Sequence, residues 1–175
     1  IVQPAITNAS GVATGTISST RAETKTITAT IDPGADAIVL AQQPTVEFVP
    51  DQGSISAVVS TASAAPATGV IADGVQFSTI TVTVRDVNGN AVAGQSVQLA
   101  SSGSNNTLVQ PGVTDGNGVA SGTIGTTTAE TKTVTARVNP GAGQVVVAQQ
   151  PTVGFVGDPN SLSAALSTAV ASPTS

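Results

Sequence analysis

Histidine and cysteine are both absent from these 175 residues. The chemistry open to the chain therefore rests on carboxylates, amides, hydroxyls and a handful of amines. Without His, no Ser–His–Asp or Cys–His relay can form, and the commonest general base is missing. Without Cys there is no disulfide, no thiolate nucleophile and no zinc–sulfur site. Paired carboxylates could still serve as acid and base. Yet Asp32, Asp73, Asp86, Asp115 and Asp158 all lie beside or close to Gly, Pro or Asn, where an Asx side chain ordinarily bonds nearby backbone amides. We expect no catalytic residue, no enzyme activity and no cofactor.

Two places come nearest to a cation site. In "DVNGNA", from Asp86 to Ala91, side-chain oxygens fall at alternate positions, as at the start of a calcium loop. Positions six and twelve of such a loop would be Gly and a bidentate Glu, and here they are Ala91 and Val97. The expected role is a hairpin. The second place is "GDPNS", with Asp158, Asn160 and Ser161; its counterpart "PDQGS" keeps the acid as Asp51 and loses the Asn. Asp86, Asn88 and Asp158 are thus the metal candidates, and folding within a unit is expected to need no calcium.

The basic residues are Arg21, Lys25, Arg85, Lys132 and Arg137, scattered and without interleaved aromatics, in a chain of net charge −5. That excludes nucleic acid, whose phosphates require clustered Lys and Arg. The pairs Glu130 with Lys132 and Glu23 with Lys25 are expected at the surface, worth well under a kcal/mol each. Exposed Trp or Tyr, the usual platforms for sugars, do not occur. Asn8-Ala9-Ser10 and Asn105-Asn106-Thr107 match the glycosylation sequon, a match expected by chance in so Ser- and Thr-rich a chain.

Strands must position these groups. Ile80, Val82 and Val84 alternate with Thr79, Thr81, Thr83 and Arg85, and Val97 and Leu99 with Ser96, Gln98 and Ala100. Val134, Ala136 and Val138 do the same in "KTVTARV". A period of two puts one face inward and one outward. Asn88-Gly89 signals a hairpin because both residues tolerate positive φ, and "TDGNG" marks a further turn. Phe77 and Phe155 are expected as the large core rings, with Phe48 in the place of Phe155. No apolar run of eighteen residues occurs, so we expect no membrane insertion in this segment, and any targeting signal to lie outside it.

The chain also repeats itself. "AQQPTVEFV" at Ala41–Val49 returns as "AQQPTVGFV" at Ala148–Val156, and 31 of the 50 positions from Val2 to Asp51 are identical to those from Val109 to Asp158. The offset is 107 residues (158 − 51 = 107) with no gap, the size of one small β domain. The expected organisation is the C-terminal half of one repeat at 1–51, a complete repeat at 52–158, and the first strand of a following repeat at 159–175. Short strands with turn signals at about ten-residue spacing indicate an all-β antiparallel sandwich.

The run "GVIADGVQFSTITVTVRDVNGNAVAGQSVQLAS" with "VTDGNGVASGTIGTTTAETKTVTARV" resembles the bacterial immunoglobulin-like group 1 domain, the module stacked in the stalks of invasin- and intimin-type adhesins. The landmarks are Ala72-Asp73-Gly74, then Asp86, Asn88 and Gly89, then Thr114 to Ala120. The resemblance implies an immunoglobulin-like fold and a structural, extracellular role: a stalk or spacer of a bacterial surface adhesin or secreted fibrous protein. The expected partners are neighbouring repeats of the same array. Lateral self-association into a filament, and an adhesive module that binds a host or surface receptor, are the alternatives.

Overall fold

The computed structural model describes residues 1–170. Its elements in order are β1 (Thr24–Thr26), β2 (Thr30–Ile31), β3 (Ile38–Val39), β4 (Thr45–Glu47), a 3-10 turn at Gln52–Ser54, β5 (Thr61–Ala65), β6 (Val70–Ile71), β7 (Ser78–Thr83), β8 (Val97–Ser101), β9 (Asn106–Val109), β10 (Val119–Thr126), β11 (Thr131–Val138), β12 (Val145–Val146) and β13 (Thr152–Val156). The described residues contain no α-helix, so none is long and apolar enough to cross a membrane.

From residue 54 to 156 the strands form two layers. One sheet runs β5-β7-β10-β9; the other runs β12-β11-β13-β6, with β8 on the free edge of β11. Both follow from alternation. Ile80, Val82 and Val84 from one sheet meet Val97, Leu99, Val134, Ala136 and Val138 from the other, and all eight are at most 4% exposed. Val70, Val153 and Phe155 close the end of this core. Burying each such side chain contributes about 1.5–3 kcal/mol. The pairing is antiparallel with one exception: β13 runs parallel to β6, with Phe155 opposite Val70.

Phe77 corrects the expectation that it is a core ring, for it is 40% exposed. Its position is odd, whereas the inward residues of β7 are even. The ring lies instead against Gly125, where an added Cβ would come within 2.7 Å of its Cε1.

Residues 1–51 repeat the pairings of the second half of the sandwich at the same offset. Lys25 faces Val46 in β1–β4 as Lys132 faces Val153 in β11–β13. Ile31 faces Ile38 as Val138 faces Val145, and the Val2–Thr16 bridge matches Val109–Thr123. Counterparts of β5 to β8 are not present within 1–51, so its inward face is open. Val46 is 37% exposed and Phe48 half-buried, in contrast to Val153 and Phe155. Phe48, expected in the place of Phe155, thus faces the side on which no opposing sheet lies within 1–51. After Asp158 the local structure again repeats. Ser161 N donates to Asp158 O and Ser167 N to Ser163 O, as Ser54 N does to Asp51 O and Ser60 N to Ser56 O. Residues 159–170 form turns at 159–160 and 164–166 and no strand; the counterpart of β5 would fall at 168–172, and 171–175 lie outside the described residues.

Candidate functional site

The Asp86–Asn90 hairpin joins two halves of the chain. Gly89 N donates to Asp86 O and Asp86 N to Asn90 O. Gly89 takes φ +86°, whereas Asn88 stays out of the left-handed region. Only one residue of the Asn-Gly pair therefore uses positive φ: a three-residue turn ending in a left-handed Gly, in place of the two-residue turn. The same construction occurs at Asp115–Val119, where Gly118 N donates to Asp115 O, and with Asn in place of Asp at Asn8–Val12. In each, one Oδ1 receives two backbone amides: Asn88 and Asn90 on Asp86, Asn117 and Val119 on Asp115, Ser10 and Val12 on Asn8.

Asp86 differs from the other two in its burial and its second oxygen. It is fully buried. Its Oδ2 receives the Asp51 amide at 3.1 Å and the Asn90 Nδ2 at 2.8 Å. Burial pushes the carboxyl up, but the hydrogen bonds from the Asn90 side chain and from the amides of Asn90, Asp51 and Asn88 together hold it below the usual carboxylate range. The linker is sewn to the same hairpin by Val87 N to Ser54 O and Ser56 N to Arg85 O.

Asn90 carries the bonding outward. Its Oδ1 accepts from Ala22 N at 2.8 Å, and its Nδ2 donates to Thr20 O at 2.9 Å as well as to Asp86. One carboxamide thus has both N–H groups and its oxygen engaged, joining the hairpin to the turn before β1, while Asp86 beside it holds the linker. The orientation is fixed chemically, since the oxygen faces an amide N–H and the nitrogen faces a carboxylate and a carbonyl. Around this knot Ala22, Glu23, Phe48, Pro50, Asn90 and Gly116 line a cleft of about 300 Å³.

Each of the three metal candidates lies in a hydrogen-bonded turn. Both oxygens of Asp86 are taken by four protein donors. Asp158 Oδ1 receives Asn160 N, as Asp51 Oδ1 receives Gly53 N. Asn88 contributes its backbone amide to Asp86. Among the described residues no three His, Cys, Asp or Glu side chains come together as a metal site.

The Glu130–Lys132 pair is a correction. The i, i+2 spacing predicts Lys132 at the surface, whereas its side chain is fully buried. Nζ donates to Glu130 Oε1 at 2.5 Å and to Ser104 O at 2.6 Å. Lys132 has the inward parity of Val134, Ala136 and Val138, a signal present in the sequence and outweighed by the look of an i, i+2 surface pair. The Lys132 hydrogen bond, with that from Ser104 N, holds the Glu130 carboxyl below its usual range. Gly103 leaves the room: a Cβ there would run into the Glu130 carboxylate. In the other half, without that surrounding, Lys25 is one-third exposed.

The profile of the bacterial Ig-like domain (group 1) matches residues 54–156. The chain belongs to that family. Among solved structures, the Ig-like chain is similar to the Yersinia pseudotuberculosis adhesin InvE at 28% identity and TM-score 0.53, covering 62% of this chain and 29% of that one. It is similar to invasin, a bacterial integrin-binding protein, at 27% identity and TM-score 0.55, covering 87% of this chain and 28% of that one. Yersinia pseudotuberculosis InvD shares the fold at 18% identity and TM-score 0.63, covering 99% of this chain and 49% of that one. The Ig-like chain therefore spans less than a third of the length of InvE and of invasin. No curated protein sequence matches it.

Proposed function

We propose that this chain is part of the shaft of a bacterial surface adhesin, outside the cell, where Ig-like repeats of 107 residues in tandem hold a separate binding region away from the surface. In this reading 52–158 is one complete repeat, 1–51 the second half of the repeat before it, and 159–175 the opening of the next. No catalytic step takes part. The observation that carries the reading is the junction at Asp51, where Asp86 and Asn90 tie linker, hairpin and preceding turn together. A tether that only needed length would leave such a linker free.

The load path supports the same reading. The chain enters beside the hairpin that follows β7, and leaves beside Ala72, whose N–H donates to Val156 O ahead of β7. Entry and exit thus lie at opposite ends of a six-residue strand, about 20 Å apart at 3.3 Å per residue. Tension along that axis shears the β13 pairings with β11 and β6 together instead of unzipping them one at a time. Single-molecule stretching of tandem copies of 52–158 tests this. The expected trace has one cooperative unfolding event per copy, each releasing the contour of about one whole repeat. Smooth extension without such events would overturn the spacer reading.

A further inference from the structure

The turn that receives Asn90 exists a second time, and there it is empty-handed. Thr20, Ala22 and Glu23 recur as Thr127, Ala129 and Glu130 in the same register. In the first copy Thr20 O and Ala22 N are bonded by Asn90. Among the described residues Thr127 O and Ala129 N have no partner. At the alanine, exposure follows the bonding: Ala22 is half-buried and Ala129 exposed, while Thr20 and Thr127 are both exposed. Both turns are braced alike from behind, with Phe48 N donating to Glu23 O at 3.0 Å and Phe155 N to Glu130 O at 3.1 Å.

The second turn also sits at the right end. Gly74 N donates to Thr126 O, and Ala72 N to Val156 O, so the turn lies next to the strand from which the chain leaves the sandwich. The linker that follows is capped as the first one is, by Asp158 in place of Asp51. The two backbone groups that Asn90 bonds at the first junction are therefore presented again at Thr127 and Ala129, with the capped linker again beyond Asp158.

We propose that the Thr127–Glu130 turn is a docking seat for the Asp-x-Asn-Gly-Asn hairpin of another copy of this repeat. The Asn at the end of that hairpin accepts from Ala129 N and donates to Thr127 O. The inference rests on the tandem reading and adds its contact: one carboxamide per junction fixes each repeat on the one before. Glu130 lies beside this seat, with its Oε1 held by Lys132 and Ser104 N.

Amide exchange tests both seats. In the present chain, Asn90→Ala should speed exchange at Ala22 at least tenfold. Gly89 and the β7–β10 amides should keep their protection, which separates loss of the latch from loss of fold. In a longer chain that continues past Asp158 with a second copy of 52–158, the Ala129 amide should slow to the level of Ala22. Changing the Asn of that added copy to Ala should release it again. An Ala129 amide that exchanges in the longer chain as it does in the present one would overturn the seat, whatever the stretching experiment gives. So would an Ala22 amide indifferent to Asn90→Ala.

Discussion

At the scale of single residues, two buried polar groups separate what local sequence reveals from what packing decides. Asp86 reads locally as a turn acid, and that is right. Its second oxygen, which holds Asp51 and Asn90, depends on a neighbour thirty-five positions away and leaves no local trace. Removing this carboxylate strands four donors, so Asp86→Ala should cost about 2–4 kcal/mol in a denaturant melt. Asp115→Ala, whose Oδ1 meets two amides at an exposed turn, should cost about 1 kcal/mol. The folded carboxyl of Asp86 lies below its unfolded value. Its contribution is therefore complete above the unfolded value near pH 4 and is lost as pH falls through the lower folded one. Asp86→Asn should flatten that acid limb of the stability curve, measured by melting from neutral to strongly acid pH. Lys132 is the converse case. Glu130→Ala leaves a buried ammonium with one partner fewer and should cost about 2–4 kcal/mol, more than Lys132→Met, which fills the same space without charge.

Among the elements, alternation alone disclosed β7, β8 and β11 with the correct inward faces, because each spans a layer with one side dry. Parity also marks Phe77 as outward and Lys132 as inward, against what their residue types suggest. The parallel contact of β13 with β6 was not legible, since β6 is two residues long and its pairing depends on a connection that crosses the sandwich. Nor was the bonding of Asn90 to Thr20 and Ala22, which spans about seventy residues. The turns permit a sharper test. Gly89 and Gly118 both have positive φ, yet a Cβ at Gly89 meets nothing within 4 Å, while at Gly118 it would lie 2.5 Å from Val84 O. Gly89→Ala should cost about 1 kcal/mol from backbone strain alone. Gly118→Ala should cost clearly more, because two strands must part; the comparison needs only paired denaturation midpoints.

Over the whole molecule, the repeat was the most legible feature, and the structure expresses it as registers that recur at one offset: Lys25 with Val46 and Lys132 with Val153. What the repeat could not convey is how one unit meets the next. Asn90 and Asp86 bond the turn before β1 and the linker to one hairpin, and in the proposed array that bonding is what stiffens each junction. Residues 52–158 hold both sheets and the whole core and should fold alone. An isolated 1–51 keeps β1 to β4 with its inward face uncovered, and should show no protected amides. The central claim is that successive repeats stack at a fixed angle. It is tested most directly by the maximum dimension, from small-angle X-ray scattering, of chains carrying one, two and three copies of 52–158. Strands of eight residues plus their turns give about 30–40 Å per unit. The account predicts that length rises by that constant step with each copy, and that Asn90→Ala in every copy shortens it. Growth that falls off as the square root of copy number, unchanged by Asn90→Ala, would contradict it.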